Sequence, residues 1–202
     1  MPDRYFDEPV MQRRQVLLWA VAARRQLDRW EPLVIEHLNR LYKDRPSITP
    51  ERIWQGEAEH HFAIVAFDHM LEALKLWPNS VVMPPVVRDE MAEVRDLATH
   101  WIDNMPIFNS RPRPREPTHN TGKAFAARNP KQSPFNWWSW NSGRGALLTP
   151  HVSASDAREA IRAVQEAVLA EDPELAPYVP PKVPPAWLPD ADGNWWPPAP
   201  GT

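Results

Sequence analysis

The sequence predicts a mainly α protein: an antiparallel four-helix bundle followed by a β-hairpin, an additional helix and a proline- and tryptophan-rich tail. Three observations lead there. Apolar residues in the first hundred positions recur at helical spacing rather than in alternation. The 25 prolines are unevenly placed, with five before residue 78, ten from Pro78 to Pro150 and ten from Pro173 onward, so only the first part can be built of long helices. The one strand-like stretch, "FNWWSW" from Phe135 to Trp140, precedes a glycine-containing turn and a short apolar run, "ALLTPHV".

A first helix is predicted from about Glu8 to Arg29, with Leu17, Leu18, Val21 and Leu27 as its apolar positions and the doublets Arg13-Arg14 and Arg24-Arg25 between them. Pro32 either kinks that helix or opens a second one running to Tyr42. Thr49-Pro50-Glu51 reads as a helix start, with threonine as N-cap and proline in the first turn. The helix that follows extends to about Trp77, with a possible break at Gly56. Its apolar residues, Phe62 through Leu74, cover nearly three sides and make it a central helix. After a turn-rich link from Pro78 to Pro85, a fourth helix spans Val86 to Asn104. Residues 105–172 then hold a long loop, the hairpin and a helix capped at Ser155-Asp156 that runs to about Ala170. The tail, residues 173–202, contains Trp187, Trp195 and Trp196 and is expected to pack on the body, with recruitment of a groove-bearing protein partner as the alternative.

With 202 residues the chain can bury a substantial core. Zero cysteines exclude disulfides and thiolate metal sites and fit a cytoplasmic protein. The start, "MPDRYFDEPVMQRRQ", has no apolar signal region. The longest apolar run, Val16 to Ala23, is too short to span a bilayer, so no membrane association is expected. The net charge of −3 hides three zones: −4 over residues 1–103, +6 over 104–145 and −5 over 146–202. A basic middle of this kind favours a polyanionic partner.

Chemistry concentrates in "EVRDLATHW", Glu93 to Trp101. At 100° per residue, Met91, Val94, Leu97, Ala98, Trp101 and Ile102 share one arc of the fourth helix, and Glu93, Asp96, His100 and Asp103 share the opposite one. Asp96 and His100 lie four apart and can hydrogen-bond, which would raise the imidazole pKa. Arg95 sits at the boundary. The plainer reading is a solvated polar face, and Arg-x4-His arises by chance about 0.6 times in a chain of this composition, so the pattern needs its context. That context is a late helix of an all-α region, a polar acid directly after the arginine, and a basic, aromatic segment just beyond.

With Arg95, polar Asp96 and His100 in "RDLATH", residues 8–104 resemble the HEPN superfamily of four-helix domains, whose ribonuclease members bear arginine, a polar residue and histidine on the last core helix. The resemblance implies a metal-independent endoribonuclease built at a homodimer interface, requiring no cofactor. His100 would move protons, Arg95 would bind the phosphate and Asp96 would orient the histidine. Many members of that superfamily are instead non-catalytic interaction modules.

Downstream, Arg111, Arg113, Arg115, Lys123, Arg128 and Lys131 alternate with Phe125, Phe135, Trp137, Trp138 and Trp140. Cations for phosphates and flat rings for bases are what single-stranded RNA requires. The competing interpretation makes the tryptophans hairpin core and the arginines solvated loop charges. A further alternative is a metal-binding bundle using Glu57, His60, His61 and His69. It rests on a single Glu-x-x-His pair, whereas di-metal bundles use two.

Overall fold

A computed structural model describes residues 9–42, 49–78, 81–99, 127 and 139–179. Helices α1 (Pro9–Tyr42), α2 (Pro50–Leu76) and α3 (Pro85–Thr99) are followed by strands β1 (Trp140–Asn141) and β2 (Gly145–Ala146), helix α4 (Ala154–Glu171) and a 3-10 helix (Pro173–Tyr178). The protein is mainly helical with one small antiparallel hairpin, as the sequence predicts. No helix among the described residues is long and apolar enough to cross a membrane.

Two predicted boundaries shift, and both shifts have a packing cause. Of the two alternatives at Pro32, a second helix does not open there, for α1 runs through the proline without interruption. A proline inside a helix deletes one backbone hydrogen bond and costs about 3 kcal/mol when nothing compensates. Here Leu27, Trp30, Leu33 and Val34, on both sides of it, are all buried and fall on one arc of the helix, so their burial holds the segment helical. Gly56, the other predicted break, is buried inside an uninterrupted α2. Among the described residues the first hundred positions contribute three helices, and α4 packs with them.

Arg–carboxylate pairs show how α4 lies. Arg13, near the start of α1, reaches Glu171 at the end of α4 (3.3 Å). Arg158, near the start of α4, reaches Glu31 (2.6 Å) and Asp28 (2.9 Å), both later in α1. Helices α1 and α4 are thus antiparallel, with α2 on the other flank of α1 and α3 beyond α2. One core cluster joins them, with Trp30, Phe67 and Met91 packed together with Ile161, Val164 and Leu175.

Thr49 caps α2 as predicted, accepting from the Arg52 N–H. The cap of α4 is Ser153, two residues earlier than predicted, in a reciprocal box with Asp156. In the hairpin, Trp140 pairs with Ala146 and Asn141 with Gly145. Its turn is closed by the Arg144 N–H donating to the Asn141 carbonyl (3.1 Å). Gly145 then takes φ +78°, a left-handed position that a β-carbon would strain. Of the predicted strand "FNWWSW", Phe135 to Trp138 lie outside the described residues. Of the tail, the 3-10 helix buries Leu175, whereas Trp187, Trp195 and Trp196 also lie outside them.

Candidate functional site

Helix α3 presents Val87, Met91, Val94 and Leu97 to the core, each buried, so the predicted apolar arc is correct where it is described. That arc fixes the roll of the helix and leaves Arg95 and Asp96 half-buried on its flank. Arg95 does not point away from the body. Its Nε lies 3.1 Å from Oδ2 of Asp68 on α2, in an ion pair whose arginine side chain keeps 38% of its exposure and whose aspartate keeps 4%. The site that forms at the α2–α3 seam is therefore an arginine anchored on a buried carboxylate.

Burial pushes the Asp68 carboxyl above its ordinary range, the Arg95 guanidinium pulls it back, and Glu72 adds to the rise while His69 and Lys75 oppose it. Its second oxygen, Oδ1, is buried with no hydrogen-bond partner among the described residues. A half-paired buried carboxylate is costly, because the low local dielectric strengthens its demand for a cation. That demand is what locates Arg95. The sequence carries its own signal for Asp68. It is the one acid in the apolar run "FAIVAFDHML", at a wheel position that faces inward.

His100 and the Asp96–His100 pair lie outside the described residues, as do Arg111, Arg113, Arg115, Lys123, Arg128 and Lys131. The described end of the basic segment, Arg144, is engaged within the protein. One of its terminal nitrogens donates to the His151 carbonyl (2.6 Å) and to Asp156 (2.5 Å). Burial raises the Asp156 carboxyl, but the Ser153 hydroxyl and backbone N–H, with Arg144, outweigh it and hold the group low. These residues edge a groove of about 280 Å³ between the Val82–Val87 segment and α4, lined by Met83, Pro84, Ala160 and Ala163. The Glu90 carboxylate, buried on α3, accepts from the His151 N–H (3.2 Å) and ties α3 to the same turn.

The metal alternative is not supported by the arrangement of its residues. His60 is buried and its Nε2 donates to the Leu148 carbonyl at 2.7 Å, with Trp30 against its ring. Burial pushes its pKa down to about 4, against the raising effect of that carbonyl, so it is a neutral core group. His69 stacks on Trp19 at 4.4 Å, His61 meets Phe62 edge-on, and Glu57 is exposed. Among the described residues no three His, Asp or Glu side chains converge as a metal site. The helical period explains the separation. Positions 57, 60, 61 and 69 are close along one helix but project over a wide arc, and among the described residues no second helix brings ligands to meet them.

No protein-family model matches the chain, and neither the curated proteins nor the solved structures give a significant match to it.

Proposed function

We propose that the protein is a HEPN-like, RNA-directed helical protein acting as a metal-independent endoribonuclease, with Arg95, Asp96 and His100 of two subunits facing one another across a homodimer. The observation that carries this reading is the anchoring of Arg95. A guanidinium offers five N–H donors in a fixed plane, and the ion pair with the buried Asp68 carboxylate, 3.1 Å from Nε, keeps the half-exposed Arg95 at the α2–α3 seam. Phosphate binding is favoured by a guanidinium whose position is already restricted. RNA cleavage also needs a base for the 2′-hydroxyl proton and an acid for the leaving oxygen, the work assigned to His100, five residues further along.

The test is cleavage of mixed-sequence RNA in EDTA by wild type, Arg95→Ala and His100→Ala. Loss of the histidine should lower the rate by about 10²–10⁴-fold, the usual range for one general acid–base group. A wild-type rate from the His100→Ala protein would remove the ribonuclease reading.

A second reading, a non-catalytic module that binds a protein, is favoured by one different observation. Leu18, Trp54, Phe62 and Leu76 on α1 and α2 are all more than half exposed. The two readings part on the same assay, since a binding module leaves RNA uncut in all three proteins.

A further inference from the structure

Two arginine doublets, Arg13-Arg14 and Arg24-Arg25, interrupt the apolar pattern of α1, and the fold splits each in the same way. Arg13 turns toward α4 and pairs with Glu171 and Asp172, and Arg24 pairs with Asp28. Arg14, Arg25 and the later Arg29 are exposed. None of these three has an ion-pair or hydrogen-bond partner among the described residues. At 100° per residue, Arg14, Leu18, Ala22, Arg25 and Arg29 fall within an arc of about 80° on the side of α1 that meets neither α2 nor α4. The three arginines span about 22 Å of helix.

The neighbouring helix adds flat rings to this face. On α2, Trp54, Ala58, Phe62 and His69 occupy a similar outward arc, with Trp54 68% and Phe62 54% exposed. Between the two arcs, His69 stacks on Trp19, which lies about 60° from the α1 arc on the side toward α2. Nothing among the described residues covers this face. Of the carboxylates on this surface, Glu36 is engaged by Arg40 and Arg52 and Glu72 by Lys75, whereas Glu51 at the start of α2 is exposed with no ion pair among the described residues, so the three unpaired arginines outnumber the unpaired acid in a chain whose net charge is −3.

We propose that this outer face of the α1–α2 pair is a binding surface for single-stranded RNA, in which Arg14, Arg25 and Arg29 meet phosphates and Phe62 and Trp54 stack on bases. The proposal rests on the RNA-directed reading above and gives it a contact surface separate from Arg95 and His100. A row of cations beside exposed aromatic rings, without a pocket for any particular base, suits a strand held by its backbone and by sequence-tolerant stacking. An acidic protein segment would use the same charges but gain little from the rings.

The experiment is a fluorescence-anisotropy titration of a labelled single-stranded RNA at several salt concentrations. It compares the wild-type chain, the triple variant R14Q/R25Q/R29Q, F62A, and R162Q as a control for charge loss on α4. Each phosphate neutralised on a single strand contributes a slope of about −0.7 in log affinity against log salt, so losing three cations should flatten the slope by about 2. Between 50 and 200 mM salt this removes about a 20-fold salt effect. F62A should bind about 5- to 100-fold more weakly with the slope unchanged, and R162Q should bind as wild type does. Wild-type affinity and slope in the triple variant would overturn the surface while leaving RNA binding intact. Absence of salt-dependent binding by the wild-type chain would remove both this surface and the RNA-directed reading. Displacement of the RNA by polyglutamate as readily as by unlabelled RNA would reassign the face to an acidic protein segment.

Discussion

At the scale of single residues, Asp68 and His60 show opposite solutions to burying a titratable group. Asp68 keeps a cation beside it, and its charge is nevertheless disfavoured, so its folded pKa lies above the unfolded value. The native state is then favoured while the group is protonated, and that contribution is lost as pH rises from the unfolded pKa through the folded one. Removing the charge by Asp68→Asn should therefore change stability by no more than about 1 kcal/mol, since the desolvation of the carboxylate offsets most of its attraction to a half-exposed arginine. Chemical denaturation at neutral pH measures this, and a loss of several kcal/mol would show that the pair is a net stabiliser. His60 is buried neutral, with its pKa lowered to about 4. Above the unfolded value near 6.5 it carries no penalty. As pH falls from about 6.5 to 4, the unfolded state takes up the proton first and stability drops by roughly 3 kcal/mol at 1.36 kcal/mol per pH unit. A His60→Gln protein should lose that part of the acid sensitivity, which thermal melts at pH 7 and pH 4.5 would reveal.

At the scale of elements, α4 depends on its first turn and α1 on its middle. The Ser153–Asp156 box satisfies two end N–H groups that otherwise lack intrahelical partners. Asp156 also receives Arg144 from the hairpin, so the cap fastens three segments together. Ser153→Ala should cost about 1 kcal/mol, and up to about 2 kcal/mol because the cap is buried. Hydrogen exchange should locate the loss at the start of α4 and in the 147–153 turn, whose Leu148 N–H donates to the Val152 carbonyl. In α1, Trp30 is fully buried beside the His60 ring. Trp30→Ala should cost about 3–5 kcal/mol, measured by urea unfolding, with the largest effect on the segment around Pro32. Continuity through that proline depends on the packing that Trp30 anchors.

At the scale of the whole molecule, the apolar core does not end with the first hundred residues. Ala146, Leu148, Val152, Ile161, Val164 and Leu175 belong to the same cluster as Trp30, Phe67 and Met91, and Arg158 closes on Asp28 and Glu31 of α1. The helix that the sequence presents as an elaboration is thus structural to the bundle. A chain ending at residue 104 should lose the cooperative melt of the full protein, because one flank of α1 would expose the surface that α4 covers. Calorimetry of both chains decides the point, and an undiminished sharp transition in the shorter one would restore a self-sufficient bundle within residues 1–104.

The sequence by itself determined the features that depend on local period and local chemistry. The mainly helical class, the threonine cap at Thr49, the core-facing arc of α3 and the glycine turn of the hairpin all follow from side-chain spacing and backbone preference within a few residues. Tertiary structure decided whatever depends on partners distant in the chain. It carried α1 through Pro32, because burial on both sides outweighs one missing hydrogen bond. It turned His60 from a candidate ligand into a core donor, because Leu148 lies 88 positions away along the chain and 2.7 Å away in space. It set Arg95 against Asp68, because a carboxylate on α2 that has lost its water needs a cation from α3. Within each arginine doublet of α1, one member finds an acid, Arg13 at the end of α4 and Arg24 one turn along α1 at Asp28, and the other faces outward.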